Sequence, residues 1–216
     1  MIDLHSHSLL SDGTLIPSEL ARRAEAKGYE VLAITDHADM SNLEVILPQL
    51  VKVCAGLNRS LKTTIIPGIE LSYVPLVLLA EMVEKGRELG AKLVLVHGET
   101  IAEPGIPGTN REALEAGIDI LAHPGLITLA EAKIAAAKGI FLEISARKGH
   151  CLTNGHVVRM AREAGAKLSF GTDTHAPSNL VTLEEAKKIA QGAGLQEEEI
   201  RILFNSARHL VQKVSA

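Results

Sequence analysis

Five times along this chain a helix-like segment runs into a glycine and then a short apolar run: AKGYEVLAITDH, LGAKLVLVHGE, AGIDILAHPG, KGIFLEIS and AGAKLSFGTDTH. Gly28, Gly90, Gly117, Gly139 and Gly165 stand where a helix ends in a left-handed residue and releases the chain into a strand. With MIDLH and TTIIPGIE added, apolar runs begin at Ile2, Val31, Thr63, Leu93, Ile118, Ile140 and Leu168, and each interval has room for one strand and one crossover helix. Near-continuous apolar strands alternating with amphipathic helices predict a parallel sheet covered by helices. After Leu168 the pattern stops: 183–191 and 197–211 read as helices with no strand run between them. The expectation is an α/β chain of seven βα units, closed or nearly closed into a TIM-like barrel. Pro67, inside the third run, is expected to mark an irregular edge or bulge.

Composition sets the class. At 216 residues and 46% hydrophobic, the chain is long enough to bury a core and is read as one domain, 1–216. Its formal net charge of −4, without a Lys/Arg run, gives no nucleic-acid or membrane footprint. Cys54 and Cys151 lack metal or redox spacing, and no segment resembles a signal peptide or reaches membrane-spanning length. A cytoplasmic setting without membrane association is expected. Nothing in the sequence bears on oligomeric state.

The polar residues then fall at one place. His5, His37, His97, His123 and Asp173 each end or directly follow an apolar run, and Glu70 follows TTIIPGI. In a barrel of parallel strands these C-terminal ends converge on the face where active sites are built. Residues two apart on a strand share a side, so His5 and His7 aim at one centre, as do Asp173 and His175. Asp12, after the turn at SDG, returns a carboxylate to the same pocket. Six histidines and three carboxylates on one face make a metal centre the best reading. His150 in a loop, His156 near a helix start and His209 in the last helix are read as ordinary histidines, because none has a strand-end position. Asp36 is expected to orient a neighbour rather than bind metal.

The motifs HSHSLLSDG, TDH, PGIE, VHG, AHPG and GTDTH, in this order on successive strands, resemble the PHP (polymerase and histidinol phosphatase) metallohydrolase family over residues 3–175. The resemblance implies a distorted (β/α)7 barrel holding two to three divalent transition-metal ions. It places His5, His7, Glu70 and Asp173 around a first ion; Glu70, His97 and His123 around a second; and Asp12, His37 and His175 around a third. Asp12 is the position where relatives vary. Glu70, Asp173 and His175 are the residues expected to carry catalysis.

Charge then suggests a substrate. Three divalent ions bring +6 and three carboxylates −3, leaving a pocket of formal charge +3 that suits phosphate. The mixed imidazole and carboxylate set suits Zn, Mn or Fe. The implied activity is hydrolysis of a small phosphomonoester by metal-activated hydroxide, with histidinol phosphate as one candidate. Five aromatic residues offer few platforms for stacked bases, so a nucleic-acid strand is disfavoured. Arg147, in EISARKGH, is the first candidate to grip phosphate oxygens and Arg111 the second, the alternative being Arg147 paired with a carboxylate such as Glu143 or lying in solvent. GETIAEPGIPGTNR is either a plain surface loop or a lid. The rival functions are a phosphodiesterase or nucleotide-directed phosphatase, a metal amidohydrolase, and a non-catalytic PHP module. Lys92 and Lys167 begin their strands, at the far side from a bridging position.

Overall fold

The computed structural model describes residues 1–215. The strands are β1 (Ile2–Asp3), β2 (Val31–Ile34), β3 (His37–Ala38), β4 (Thr64–Leu71), β5 (Leu93–His97), β6 (Ile120–Ala122), β7 (Phe141–Ser145) and β8 (Leu168–Gly171). The helices are α1 (Pro17–Ala26), α2 (Leu43–Leu57), α3 (Leu79–Glu88), α4 (Thr109–Glu115), α5 (Leu129–Lys138), α6 (Asn154–Ala164), α7 (Leu183–Gly192) and α8 (Glu197–Ser215). The five glycines that punctuate the sequence all have positive φ, from 70° to 100°. All pairings are parallel, in the order β1-β2-β4-β5-β6-β7-β8, with β3 on β4.

Eight segments make seven staves. Ile34 pairs with Pro67 and His37 with Glu70, the same offset of 33 residues, so β2 and β3 are one strand interrupted at Thr35–Asp36. At the interruption Thr35 N–H bonds Ser6 O of the first stave at 2.8 Å. Pro67 therefore sits in register, at the point where the ladder changes partner.

The barrel is nearly closed rather than fully laddered. Between β8 and β1 there is one isolated bridge, Ser6 to Thr174, with Asp173 N–H donating to His5 O at 2.9 Å and His7 N–H to Thr174 O at 2.8 Å. The buried Asp3 carboxylate stitches the rest of the seam, accepting from Thr172 N at 3.0 Å and from its hydroxyl at 2.5 Å. The final helix, α8, packs against β8 and β1 across that seam.

Strand alternation divides the apolar residues into two cores. Leu32, Ile34, Ile65, Ile69, Val94, Val96, Leu121, Leu142 and Ile144 face outward into the layer of helices. Ile2, Leu4, Val31, Ala33, Ile66, Leu93, Leu95, Ile120 and Phe141 fill the barrel interior, with Ala207 and Leu210 of α8 packed on them. Following the inward rows upward reaches the polar residues: Leu93–Leu95–His97, Ile66–Gly68–Glu70, Val31–Ala33–Thr35–His37 and Phe141–Glu143. An apolar base and a polar mouth thus come from one periodicity. Among the described residues, no helix is long and apolar enough to cross a membrane.

Candidate metal centre

Six of the nine expected ligands reach the mouth by routes that regular strand geometry does not supply. His5 and His7 lie past the end of β1, and their Nε2 atoms approach to 3.0 Å. His123 and Asp173 follow β6 and β8 in left-handed backbone conformations, φ +27° and +51°. Residues other than glycine rarely adopt that region, and such outliers gather at functional sites. Here the turn swings each side chain back over the barrel. Asp12 and His175 come from loops and meet, Nε2 to Oδ1, at 3.1 Å.

Glu70 is the centre of the arrangement. It is fully buried, and neither carboxylate oxygen has a hydrogen-bond donor. Four imidazole nitrogens surround it instead: His37 Nδ1 at 3.0 Å, His5 Nε2 and His123 Nε2 at 3.2 Å, and His7 Nε2 at 3.4 Å. Burial pushes the Glu70 carboxyl up, but the His5 and His37 imidazoles outweigh it and hold the group well below the usual carboxylate range. Burial, helped by His37, pushes the His7 imidazole down to about 3, which keeps the ring neutral.

These distances fit metal ions. Two atoms each about 2.1 Å from one ion stand roughly 3.0–3.4 Å apart when the bond angle is about 90–110°. A buried carboxylate without donors is costly unless a cation compensates it, and His7 Nδ1, His123 Nδ1 and His175 Nε2 are also buried without a hydrogen-bond partner. Among the described residues, donor atoms lying within 4.8 Å of one another form three groups: His7, Asp12, His37 and His175; His5, His123 and Asp173; and His5, His7 and Glu70. The first contains the expected third-ion set, with His7 added. Glu70, His97 and His123 do not form such a group, because His97 turns its Nε2 toward Glu103 of the loop after β5, at 3.0 Å.

Three residues that were not assigned to the site belong to its surroundings. Glu143 does not pair with Arg147; buried inside the barrel, it places Oε1 2.7 Å from His5 Nδ1 and accepts the His123 N–H with Oε2 at 2.9 Å. A carboxylate on the far nitrogen fixes the tautomer and orientation of a metal-binding imidazole. The sequence signal was a glutamate on an inward position of FLEIS. Gly171 is required by this pair, since a Cβ there would stand 2.8 Å from His5 Cβ and run into the Glu143 carboxylate. His150, expected to be ordinary, is buried and stacked on His123 with ring centroids 4.1 Å apart. Glu103 is the third, and its loop lay outside the strand pattern that located the others.

The remaining expectations fall as follows. Asp36 braces the turn after β1, accepting from Ser8 N at 2.6 Å, Ser8 Oγ at 2.7 Å and Ser11 Oγ at 2.6 Å. Arg147 lies at the mouth with Nη1 against His175 Nδ1 and 3.4 Å from Asp173 Oδ1. Arg111 is exposed on α4 and does not line the cavity. His156 Nε2–H donates to Ile127 O at 2.7 Å, and His209 is exposed on α8. Above these buried side chains opens a cavity of about 490 Å³ lined by Asp12, Tyr73, Glu103, Arg147, His150 and His175 among others, with no lysine among the described lining residues.

The PHP domain family model matches residues 3–189. The chain belongs to the PHP domain family. It is 41% identical over 215 residues to an uncharacterised protein of Methanocaldococcus jannaschii, covering 98% of this chain and 99% of the relative. A protein of Shewanella loihica named a probable phosphatase is 28% identical, covering 98% and 92%. Among solved structures, the histidinol phosphate phosphatase of Lactococcus lactis with zinc, L-histidinol and phosphate is similar with TM-score 0.62 at 19% identity, covering 90% and 94%. A chain of an archaeal ribonuclease P complex with mature tRNA is similar with TM-score 0.77 at 14% identity, covering 98% and 90%. At these identities the PHP chain shares with both structures its fold.

Proposed function

We propose that this PHP protein is a metal-dependent phosphatase that hydrolyses a small phosphomonoester at a centre of two to three divalent ions. The observation that carries the reading is Glu70, a buried carboxylate without hydrogen-bond donors, ringed by four imidazole nitrogens at 3.0–3.4 Å. The names of the Shewanella relative and the Lactococcus structure support the same class.

Bound ions would lower the pKa of coordinated water toward about 7 and offset charge on the phosphoryl oxygens. The chain supplies the rest. His5, His7, Glu70 and Asp173 form the deepest part of the donor set, with His123 and His97 on one side and Asp12, His37 and His175 on the other. Glu143 holds His5 in the tautomer that leaves Nε2 free. Arg147, the one Lys or Arg among the described lining residues, grips non-bridging oxygens of the phosphate with its planar fork. Water adds to phosphorus, the P–O bond to the alcohol breaks, and alcohol and inorganic phosphate leave. The cavity is of the size that takes small molecules, and histidinol phosphate is one substrate to try first. Zn, Mn and Fe all suit the donors.

The test is a panel of phosphomonoesters, phosphodiesters, nucleotides and amide substrates with the protein reconstituted in Zn²⁺, Mn²⁺ or Fe²⁺. Release of phosphate from monoesters, lost in Glu70→Gln, is expected. Turnover confined to diesters or amides, or metal content below one ion per chain, overturns the reading.

A further inference from the structure

His97 stands apart from the three tight donor groups, and the loop that follows it shows why. The His97 Nδ1–H donates to Gly98 O at 3.1 Å, so its Nε2 carries the free lone pair. That lone pair faces Glu103 Oε2 at 3.0 Å, and Tyr73 OH donates to the same oxygen at 3.1 Å. The other oxygen, Oε1, lies 3.4 Å from His150 Nε2, whose Nδ1 is paired with Thr100 Oγ1 at 2.7 Å. Among the described residues, no lysine or arginine lies within ion-pair distance of Glu103. A carboxylate and a ring lone pair at this distance need a proton or a cation between them, and 3.0 Å is about the separation of two neighbouring ligands on one ion.

The loop is built to hold that position. Its base is clamped by the Glu99 carboxylate, which accepts from Gly108 N at 3.1 Å and Asn110 N at 2.9 Å, while the Asn110 side chain accepts from Glu99 N at 3.0 Å. From this base two side chains reach the centre, Thr100 to His150 and Glu103 to His97. The ring of His97 meets that of His123 edge-on, centroids 4.5 Å apart, so an ion on His97 Nε2 and Glu103 lies beside the His123 end of the cluster.

We propose that Glu103 is a tenth ligand, joining the ion that His97 binds, and that this bond latches the 98–108 loop over the cavity. The inference rests on the metal-centre reading and deepens it. Glu103 lowers the formal charge of a three-ion pocket from +3 to +2, and it makes loop position depend on metal loading.

The test uses the full chain with Zn²⁺ or Mn²⁺, following metal binding by calorimetry and elemental analysis and loop protection by amide hydrogen exchange. In the wild type, metal addition should protect residues 98–108. In Glu103→Gln, one ion should bind weaker by at least the ~10–100-fold that loss of an outer partner costs, the others should bind unchanged, and loop protection should vanish. Glu103→Asp, which keeps the carboxylate, should recover part of both. Unchanged affinities and protection in Glu103→Gln, or a change only in substrate KM, overturn the latch while leaving the metal centre standing. A wild-type chain that binds no ion overturns both.

Discussion

A glutamate on a buried strand is costly unless partners hold it, and Glu143 has two, His5 Nδ1 and the His123 N–H. Glu143→Gln keeps the shape and removes the charge that fixes the His5 tautomer. Metal affinity should fall by about 10–100-fold with the fold retained, read by metal titration alongside circular dichroism. An unchanged titration would separate Glu143 from the centre. Arg147 makes a different prediction because it touches the cavity rather than a ligand's far side. Loss of a charge-assisted contact to phosphate costs roughly 1.5–3 kcal/mol, a ~10–150-fold drop in kcat/KM. Arg147→Ala should show that drop with metal content unchanged, and Arg147→Lys should recover only part, since a point charge lacks the fork. Loss of metal in Arg147→Ala would instead assign it to positioning Asp173 and His175.

At the level of elements, α8 has a role that no βα repeat gives it. The chain has seven staves, and this last helix crosses the seam where β8 and β1 share only one bridge. Its Ala207 and Leu210 pack on the interior apolar plug under the polar mouth. Leu210→Ala leaves a cavity there and should destabilise by about 2–5 kcal/mol, measured by denaturant unfolding, with metal stoichiometry intact. A cost below about 1 kcal/mol would mean the plug stands without the helix. The interruption between β2 and β3 is a second device of this kind: there Thr35 N–H bonds Ser6 O and the Asp36 carboxylate holds Ser8, while His37 stays in register with Glu70.

On the scale of the molecule, the candidate ligands span the chain from His5 to His175, so ions bound there would cross-link the barrel mouth. An ion present at about 100 times its Kd adds ~2.7 kcal/mol to the folded state, or roughly 5–10 °C in Tm for a chain of this size. Chelation should therefore lower Tm, and Zn²⁺ or Mn²⁺ should restore it; a Tm indifferent to chelator would show that the mouth is held by protein contacts alone. Protons compete with metal for imidazole; burial lowers the His5, His37 and His123 imidazoles, but the Glu143 and Glu70 carboxylates at His5, and Glu70 at His37 and His123, outweigh it and hold them above the ordinary histidine range, so the metal-dependent gain should already shrink as pH falls toward the ordinary value of about 6.5 and fall further below it. The apolar runs, the helix-ending glycines and the strand-end histidines were legible in the sequence because each is local: periodicity assigns a face, and a left-handed residue ends a helix. The HxH and DxH spacings marked candidate ligands for the same reason. What pairs with them was decided only in three dimensions. Glu143 meets His5 across 138 residues, His150 reaches His123 from a loop, and Glu103 finds His97 by the path of a segment without periodicity. Strand alternation says which way a side chain points, but closing the barrel brings its partners into contact, and closure is a property of the whole chain.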